Sequence, residues 1–364
     1  MNASVIGGGS WGTAFALYLG RLGHETRLWI REPDVLEAAV RERENPVFLP
    51  GHRLPSSVSV HADIGEAMDG AAAIFVAVPS QYVRKILSRM APYLKQGQAV
   101  ISLAKGIEKR TLLRMSEIMA EAFEPENRLS IGVLSGPSFA AEVAAGYPTA
   151  LVLASRDREL ARRLQARLSG PLLRVYTSRD VVGVELAGAL KNIIAIAAGI
   201  SDAMAFGHNS QAALITRGLA EIARLGLKLG ARRETFSGLA GMGDLVLTCT
   251  GPLSRNRRVG QELGAGRPLG AVVAGHRTVA EGIPTTVSVR ELANREGVEM
   301  PISEQVYQVL YRKKEPRRAL ADLMARELRH ESDGLEHKLQ NLIDRLRGGK
   351  KPNPDAEWNK RGEP

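Results

Sequence analysis

Residues 3–13 read Ala-Ser-Val-Ile-Gly-Gly-Gly-Ser-Trp-Gly-Thr, an apolar run that breaks into a glycine-rich turn. Gly7, Gly9 and Gly12 have the spacing G-x-G-x-x-G. A helical pattern follows over residues 13–22 and a strand pattern over 26–30, which completes a βαβ unit. Gly7 permits the tight turn and Gly9 lets a pyrophosphate approach the backbone. Gly12 lets helix and strand pack closely, and the helix N-terminus faces the phosphates. A glycine-rich turn can occur without a ligand. Its place inside a βαβ unit at the start of the chain favours dinucleotide binding.

The end of the second strand distinguishes the cofactors. An acidic residue there suits the ribose 2′-hydroxyl of NAD, and an arginine suits the 2′-phosphate of NADP. Arg31 comes first and Glu32 second. The order predicts NADP as preferred and NAD as possible. The alternative is two solvated loop charges.

Further apolar runs at 73–78, 99–103, 131–134, 150–154 and 172–177 alternate with helical stretches. This pattern predicts an α/β fold with a doubly wound, mostly parallel sheet. Ligands of such sheets bind beyond the carboxyl ends of the strands, where Lys105 and the turn Ser135-Gly136-Pro137-Ser138 fall. Each of these alone is an ordinary loop feature.

From residue 181 the pattern becomes helical, which predicts a mainly α-helical second domain. Residues 185–200 read ELAGALKNIIAIAAGI. On a helix, the neighbours of Lys191 are Ala187, Gly188, Ile194 and Ala195. No other charge shares that stripe. A desolvated ammonium there would have a pKa lowered toward neutrality, which suits proton transfer. The bland reading is a lysine that snorkels to water. Residues 238–244 hold three glycines and end in Asp244. Residues 254–258 read Ser-Arg-Asn-Arg-Arg, either a phosphate-binding fork or a basic helix start capped by Ser254.

The chain has 364 residues, 44% hydrophobic and 24% charged, with a formal net charge of +10. Of that excess, 14 Lys/Arg against 10 Asp/Glu lie in the last 53 residues. The basic body suits anionic small molecules. Only 5% of residues are aromatic and no zinc spacing or RNA-binding signature occurs, which argues against a nucleic-acid partner. A single cysteine, Cys249, excludes an internal disulfide framework and fits a reducing compartment. It reads as a small buried apolar residue. His208, between helical stretches, reads as a loop residue. No His/Asp/Glu set has metal-ligand spacing. No apolar run is expected to reach membrane-spanning length, no signal-peptide layout is seen, and a cytoplasmic protein is expected. The domain expectation is 1–179 for dinucleotide binding, 180–330 for substrate, and a basic, partly disordered extension at 331–364.

Taken together, the motifs resemble those of the bacterial NAD(P)-dependent glycerol-3-phosphate dehydrogenases. The matching pieces are GGGSWGT at 7–13, AVPS at 77–80, AKG at 104–106, SGPSFA at 135–140 and LKNII at 190–194. ITRGLA at 215–220, GMGDLVLTCT at 241–250, SRNR at 254–257 and Glu281-Gly282 complete the series. The resemblance runs over about residues 2 to 325. It implies an N-terminal Rossmann domain, an all-helical C-terminal domain, and reduction of dihydroxyacetone phosphate to sn-glycerol 3-phosphate for phospholipid synthesis. It implies cofactor contacts at Ser10, Trp11, Arg31, Lys105, Ala140, Arg255, Val279 and Glu281. Substrate contacts are implied at Lys105, Gly136, Ser138, Asp244, Ser254, Arg255 and Asn256. Lys191 resembles the proton donor and acceptor, with Lys105 as a second positive group. A small phosphorylated substrate and a second copy of the chain, as a homodimer, are implied as partners. The loop after Glu281 carries Ile283-Pro284 where relatives often have polar residues, and the tail beyond about residue 331 extends past the usual family end.

Two other readings compete. A related two-domain dehydrogenase of another hydroxy acid would keep the glycine loop and the buried lysine, but would not need the Ser254-Arg255-Asn256 clamp. A non-enzymatic NADP-sensing module would need only the first half.

The composition of residues 348–364 cannot bury a core. Truncation after Leu346 should therefore leave turnover within about tenfold of the full chain, about 1.4 kcal/mol in barrier. A larger loss in a steady-state assay would show that the tail reaches the site.

Overall fold

The strands are β1 (Asn2–Ile6), β2 (Glu25–Trp29), β3 (Glu44–Asn45), β4 (Leu49–Arg53) and β5 (Val58–His61). They continue with β6 (Ala73–Val76), β7 (Ala99–Ser102), β8 (Ser130–Ser135), β9 (Thr149–Ala154) and β10 (Leu173–Ser178). The computed structural model describes residues 1–123, 129–274, 277 and 279–326. Residues 1–320 form one compact unit.

Eight strands form one sheet in the order β10-β9-β8-β7-β6-β1-β2-β5. From β8 to β5 every pairing is parallel. β9 pairs antiparallel with β8, and β10 runs parallel to β9. The expected mostly parallel, doubly wound sheet is present, with two strands reversed at one edge. β5 and the β3–β4 hairpin carry too little apolar pattern to be anticipated. The central strands β6 and β7 are buried at every residue, because helices cover both faces. On one face Phe15 meets Phe75 edge-on, with ring centroids 4.9 Å apart. The other face packs Ile6, Trp29, Ile74 and Met68.

The register sets the site. Ile6 is level with Trp29 on one side and Val76 on the other, and Val76 is level with Ser102. The segments after β1, β2, β6 and β7 therefore leave the same edge. The chain order reverses between β6 and β2 around β1, so the crevice opens at the glycine turn.

Beyond β10 the described chain is helical. Val181–Ala203 is the longest described helix. Asp180 caps it, accepting from Gly183 N at 2.9 Å, and also accepts from Arg232 N at 2.8 Å. Glu185, buried on this helix, accepts from Arg114 Nη1 at 2.6 Å and Ser116 N at 2.7 Å, which pins the helix to the first half of the chain. The helix has 23 residues and is apolar enough to cross a membrane, which corrects the expectation that no apolar run reaches that length. Its apolar residues face protein on nearly every side: 83% of its most apolar window is buried. The weak helical pattern continues as Pro316–Met324. Its expected extension to residue 346 and the polar tail lie outside the described residues.

Two glycines allow the lysine helix to touch the helix Arg255–Gly264 backbone to backbone. A Cβ on Gly199 would lie 1.9 Å from Arg257 O, and one on Gly260 would lie 2.0 Å from Ile196 O. Gly260→Ala should therefore destabilise the protein by about 1–3 kcal/mol through overpacking. At an exposed helical glycine the same change would stabilise by about 1 kcal/mol. Thermal melts of the two proteins give the sign; an unchanged or raised Tm would show that the helices separate without cost.

Candidate active site

One cleft of about 790 Å³ runs from the glycine turn to Lys191. Its walls include Gly7, Gly9, Ser10, Trp11, Arg31, Lys105, Ser138, Ala140, Lys191, Ser254, Arg255, Asn256, Val279 and Glu281. The tertiary structure thus gathers these sequence-derived candidates in one place.

At the glycine turn, Gly7 has φ +129, and an added Cβ would lie 2.6 Å from Ala77 O. A Cβ on Gly12 would lie 1.9 Å from Gly7 O, so Gly12 packs behind the cleft wall. A Cβ on Gly9 would meet nothing within 4 Å. The open side of Gly9 and the uncapped N-terminus of the helix Ser10–Arg21 form a cradle that fits a pyrophosphate. Asn45, which the sequence reading missed, fixes the turn: its Nδ2 donates to Gly8 O at 2.8 Å and Thr13 Oγ1 at 2.9 Å.

At the other end, Asp244 lies between two lysines. One oxygen accepts from Lys191 Nζ and the other from Lys105 Nζ at 2.7 Å. Lys191 also donates to Thr248 Oγ1 at 2.9 Å, and Lys105 to Gly136 O at 2.9 Å. Lys191 is 6% exposed and Asp244 1%. The snorkelling reading of Lys191 is excluded. Its pKa is pulled down to about 7, chiefly by desolvation; Asp244 opposes the shift and Lys105 adds to it. Gly136, at φ +133, presents its carbonyl to Lys105 and to Ser138 Oγ at 2.9 Å. Gly188 makes room: a Cβ there would lie 2.8 Å from Ser135 Oγ and 3.6 Å from Lys105 Cγ.

Asp244 and Gly136, expected at the substrate, bond the two lysines that line the cleft. Asn256, expected at a phosphate, lines the cleft and is fixed by protein: one N–H of Nδ2 donates to Asn192 Oδ1 at 2.9 Å and Oδ1 accepts from Gly282 N at 2.9 Å. Ser254 Oγ caps its helix, accepting from Arg257 N at 3.2 Å, while its own hydroxyl proton stays available. Arg257 turns away to Asp202, at 2.6 Å. Arg255 points into the open cleft. Desolvation lowers its pKa and Glu281 opposes that, but with solvent access an arginine remains cationic. Glu281 accepts from Ser80 N at 2.8 Å and Ser80 Oγ at 2.5 Å, tying the two halves of the chain together. Desolvation raises its pKa.

Thr248 and Asn192 escaped the sequence reading, although Thr248 lies four residues after Asp244 on the same helix face. At the far end Arg31 pairs with Glu32 at 2.5 Å, and Val279 is exposed at the rim. Cys249 is fully buried, with its thiol pKa pushed up to about 12 by desolvation, and has no part in the site. Among the described residues, no group of three or more His, Cys, Asp or Glu could hold a metal ion.

A family model for the N-terminus of NAD-dependent glycerol-3-phosphate dehydrogenase matches residues 2–161, and one for its C-terminus matches 180–321. The chain is 50% identical over 333 residues to glycerol-3-phosphate dehydrogenase NAD(P)+ of Syntrophotalea carbinolica, covering 92% of this chain and 100% of that one. The crystal structure of glycerol-3-phosphate dehydrogenase from Coxiella burnetii is 40% identical with a TM-score of 0.86, covering 89% of this chain and 99% of that one. The enzyme structure from Saccharomyces cerevisiae is 26% identical with a TM-score of 0.76, covering 90% and 99%. A ketopantoate reductase from Ralstonia eutropha, 18% identical with a TM-score of 0.55, shares the fold alone. Matched in both halves and half identical to a relative over that relative's whole length, the chain belongs to the NAD-dependent glycerol-3-phosphate dehydrogenase family.

Proposed function

We propose that the protein reduces dihydroxyacetone phosphate to sn-glycerol 3-phosphate with NADPH, or with NADH, and so feeds glycerophospholipid synthesis. The observation that carries this reading is a buried lysine of near-neutral pKa, braced by Asp244, in the same cleft as an open dinucleotide cradle. Residues 1–179 hold the dinucleotide and residues 180–330 supply most of the substrate site. The single, free cysteine fits a reducing compartment, which supports a cytoplasmic enzyme.

The cradle at Gly7, Gly9, Ser10 and Trp11 would hold the dinucleotide, with Ala140, Val279 and Glu281 further along the cleft. A bound dihydronicotinamide supplies hydride to the C2 carbonyl carbon. Lys191 stabilises the negative charge that develops on the carbonyl oxygen and delivers a proton to it from Nζ. Lys105 adds a second positive charge. Asp244 holds both ammonium groups in position. Arg255, the Ser254 hydroxyl and the N-terminus of Arg255–Gly264 receive the phosphate, where the helix dipole favours an anion. Asn256 shapes this end through Asn192 and Gly282. Holding the phosphate fixes the carbonyl against Lys191, which makes the reaction effectively intramolecular. The phosphate clamp favours this substrate over an unphosphorylated hydroxy acid. The buried acid–base lysine favours an enzyme over a sensing module.

Lys191→Met removes the ammonium but leaves Asp244 paired with Lys105. The variant should fold, bind NADPH by fluorescence as the parent does, and lose about a hundredfold to ten-thousandfold in turnover. Near-normal turnover would exclude Lys191 as the proton donor.

The pH dependence has a defined sign. Reduction needs protonated Lys191, so kcat/KM for reduction should fall as pH rises above about 7. Oxidation of glycerol 3-phosphate needs the neutral amine and should fall as pH drops below the same value. Asp244→Asn removes the anion that opposes desolvation, so both midpoints should move to lower pH. Midpoints unmoved by Asp244→Asn in pH–rate profiles would rule out that coupling.

A further inference from the structure

At the end of the cleft where β2 stops, two arginines are each held by a carboxylate. Arg31 pairs with Glu32 at 2.5 Å, both just past β2. Arg277, from the helical half of the chain, reaches across to Asp34, with Nη1 at 2.9 Å from Oδ2. Arg277 also lies over Phe48, its Cζ 5.9 Å from the ring centroid. Arg31, Glu32, Phe48 and Arg277 all line the cleft. The Arg277 guanidinium holds the Asp34 carboxyl below its ordinary range, and Glu32 lies close enough to act on Arg277 as well.

The Arg277–Asp34 pair is open to water: both side chains are 56% exposed. Such a pair contributes little to folding and is readily exchanged. A phosphate monoester carries more charge than a carboxylate near neutral pH and offers three acceptor oxygens. It can therefore displace a carboxylate from a guanidinium. A 2′-hydroxyl carries no charge and leaves the pair intact. The end of β2 is where the adenosine ribose of a dinucleotide lies in a fold of this kind.

We propose that Arg277 is a second specificity-determining residue for NADP(H), which joins Arg31 on the adenosine 2′-phosphate, and that Asp34 is the carboxylate it leaves to do so. The two arginines come from opposite halves of the chain. Engagement of the 2′-phosphate therefore links the helical half to the end of β2, which NADH does not do. This rests on the dinucleotide site described above.

Affinities of Arg277→Ala, Arg277→Lys, Asp34→Asn and Arg31→Ala for NADPH and NADH test it, measured by fluorescence titration. Calorimetry with adenosine 2′,5′-bisphosphate and with 5′-AMP isolates the phosphate. Arg277→Ala should weaken NADPH and adenosine 2′,5′-bisphosphate about tenfold or more, and NADH and 5′-AMP by less than about twofold. Arg277→Lys should recover part of the loss. Asp34→Asn frees Arg277 and should leave NADPH binding equal or tighter. The Arg31→Ala, Arg277→Ala double variant should lose the preference for NADPH over NADH. Arg277→Ala weakening both cofactors equally, or neither, overturns the proposal, as does weakened NADPH binding in Asp34→Asn. Failure of the unaltered protein to bind either dinucleotide overturns the dinucleotide site itself, and the proposal with it. Thermal melts guard against misfolding; the exposure of the pair predicts an unchanged Tm.

Discussion

The carboxylate of Asp244 is the anion on which the catalytic end of the cleft depends. It is fully enclosed, and each of its oxygens accepts from a different lysine. Without it two ammonium groups would face one another in a desolvated pocket, a costly arrangement. With it, one net positive charge is shared by the group, directed at the cleft. Desolvation still outweighs Asp244 at Lys191, which leaves that amine near neutrality and able both to give and to take a proton. The same carboxylate joins a loop beyond β7 to two helices of the second half, so proton chemistry and tertiary assembly rest on a single group.

The remaining geometry follows from close backbone approaches. Gly199 and Gly260 bring the helix Arg255–Gly264 against the lysine helix, and its N-terminus then opens at the phosphate end of the cleft. Gly188 clears space for Ser135 and the stem of Lys105. A left-handed backbone at Gly136 turns its carbonyl toward the Lys105 ammonium. Small residues on the long helix thus serve two ends: they let neighbours in, and they leave Lys191 no route to water except through the cleft. Glu281 and Glu185, each accepting from serines of the first half, hold that helix bundle over the sheet edge.

Much of this was legible from residue pattern. The alternation of apolar runs and helical stretches marks the sheet strands apart from β5 and the short hairpin, whose pairing depends on neighbours more than on composition. The G-x-G-x-x-G spacing locates the crevice, because such a turn has few other uses between a strand and a helix. The isolation of Lys191 on an apolar stripe pointed to a lowered pKa, and burial bears that out. Its partner was invisible: Asp244 lies 53 residues away, and no local pattern relates the two. Asn256 lines the cleft beside Ser254 and Arg255 as its neighbours suggested, and its bonds to Asn192 and Gly282, 64 and 26 residues away, had no local signal.

By itself the sequence determined the elements, their order and the chemical type of each end of the cleft, because periodicity, glycine spacing and isolated charges are local properties. It also marked the lysine, since a charge without company on a helix face must either reach water or be buried. Only the tertiary structure decided which groups meet: Asp244 with two lysines, Glu281 with Ser80, Arg277 with Asp34. Those pairings are set by strand register and helix crossing, which place side chains far apart in the chain within hydrogen-bond reach. A pKa near 7 at Lys191 is the net of burial, one nearby anion and one nearby cation, and none of the three has a value until the chain is folded.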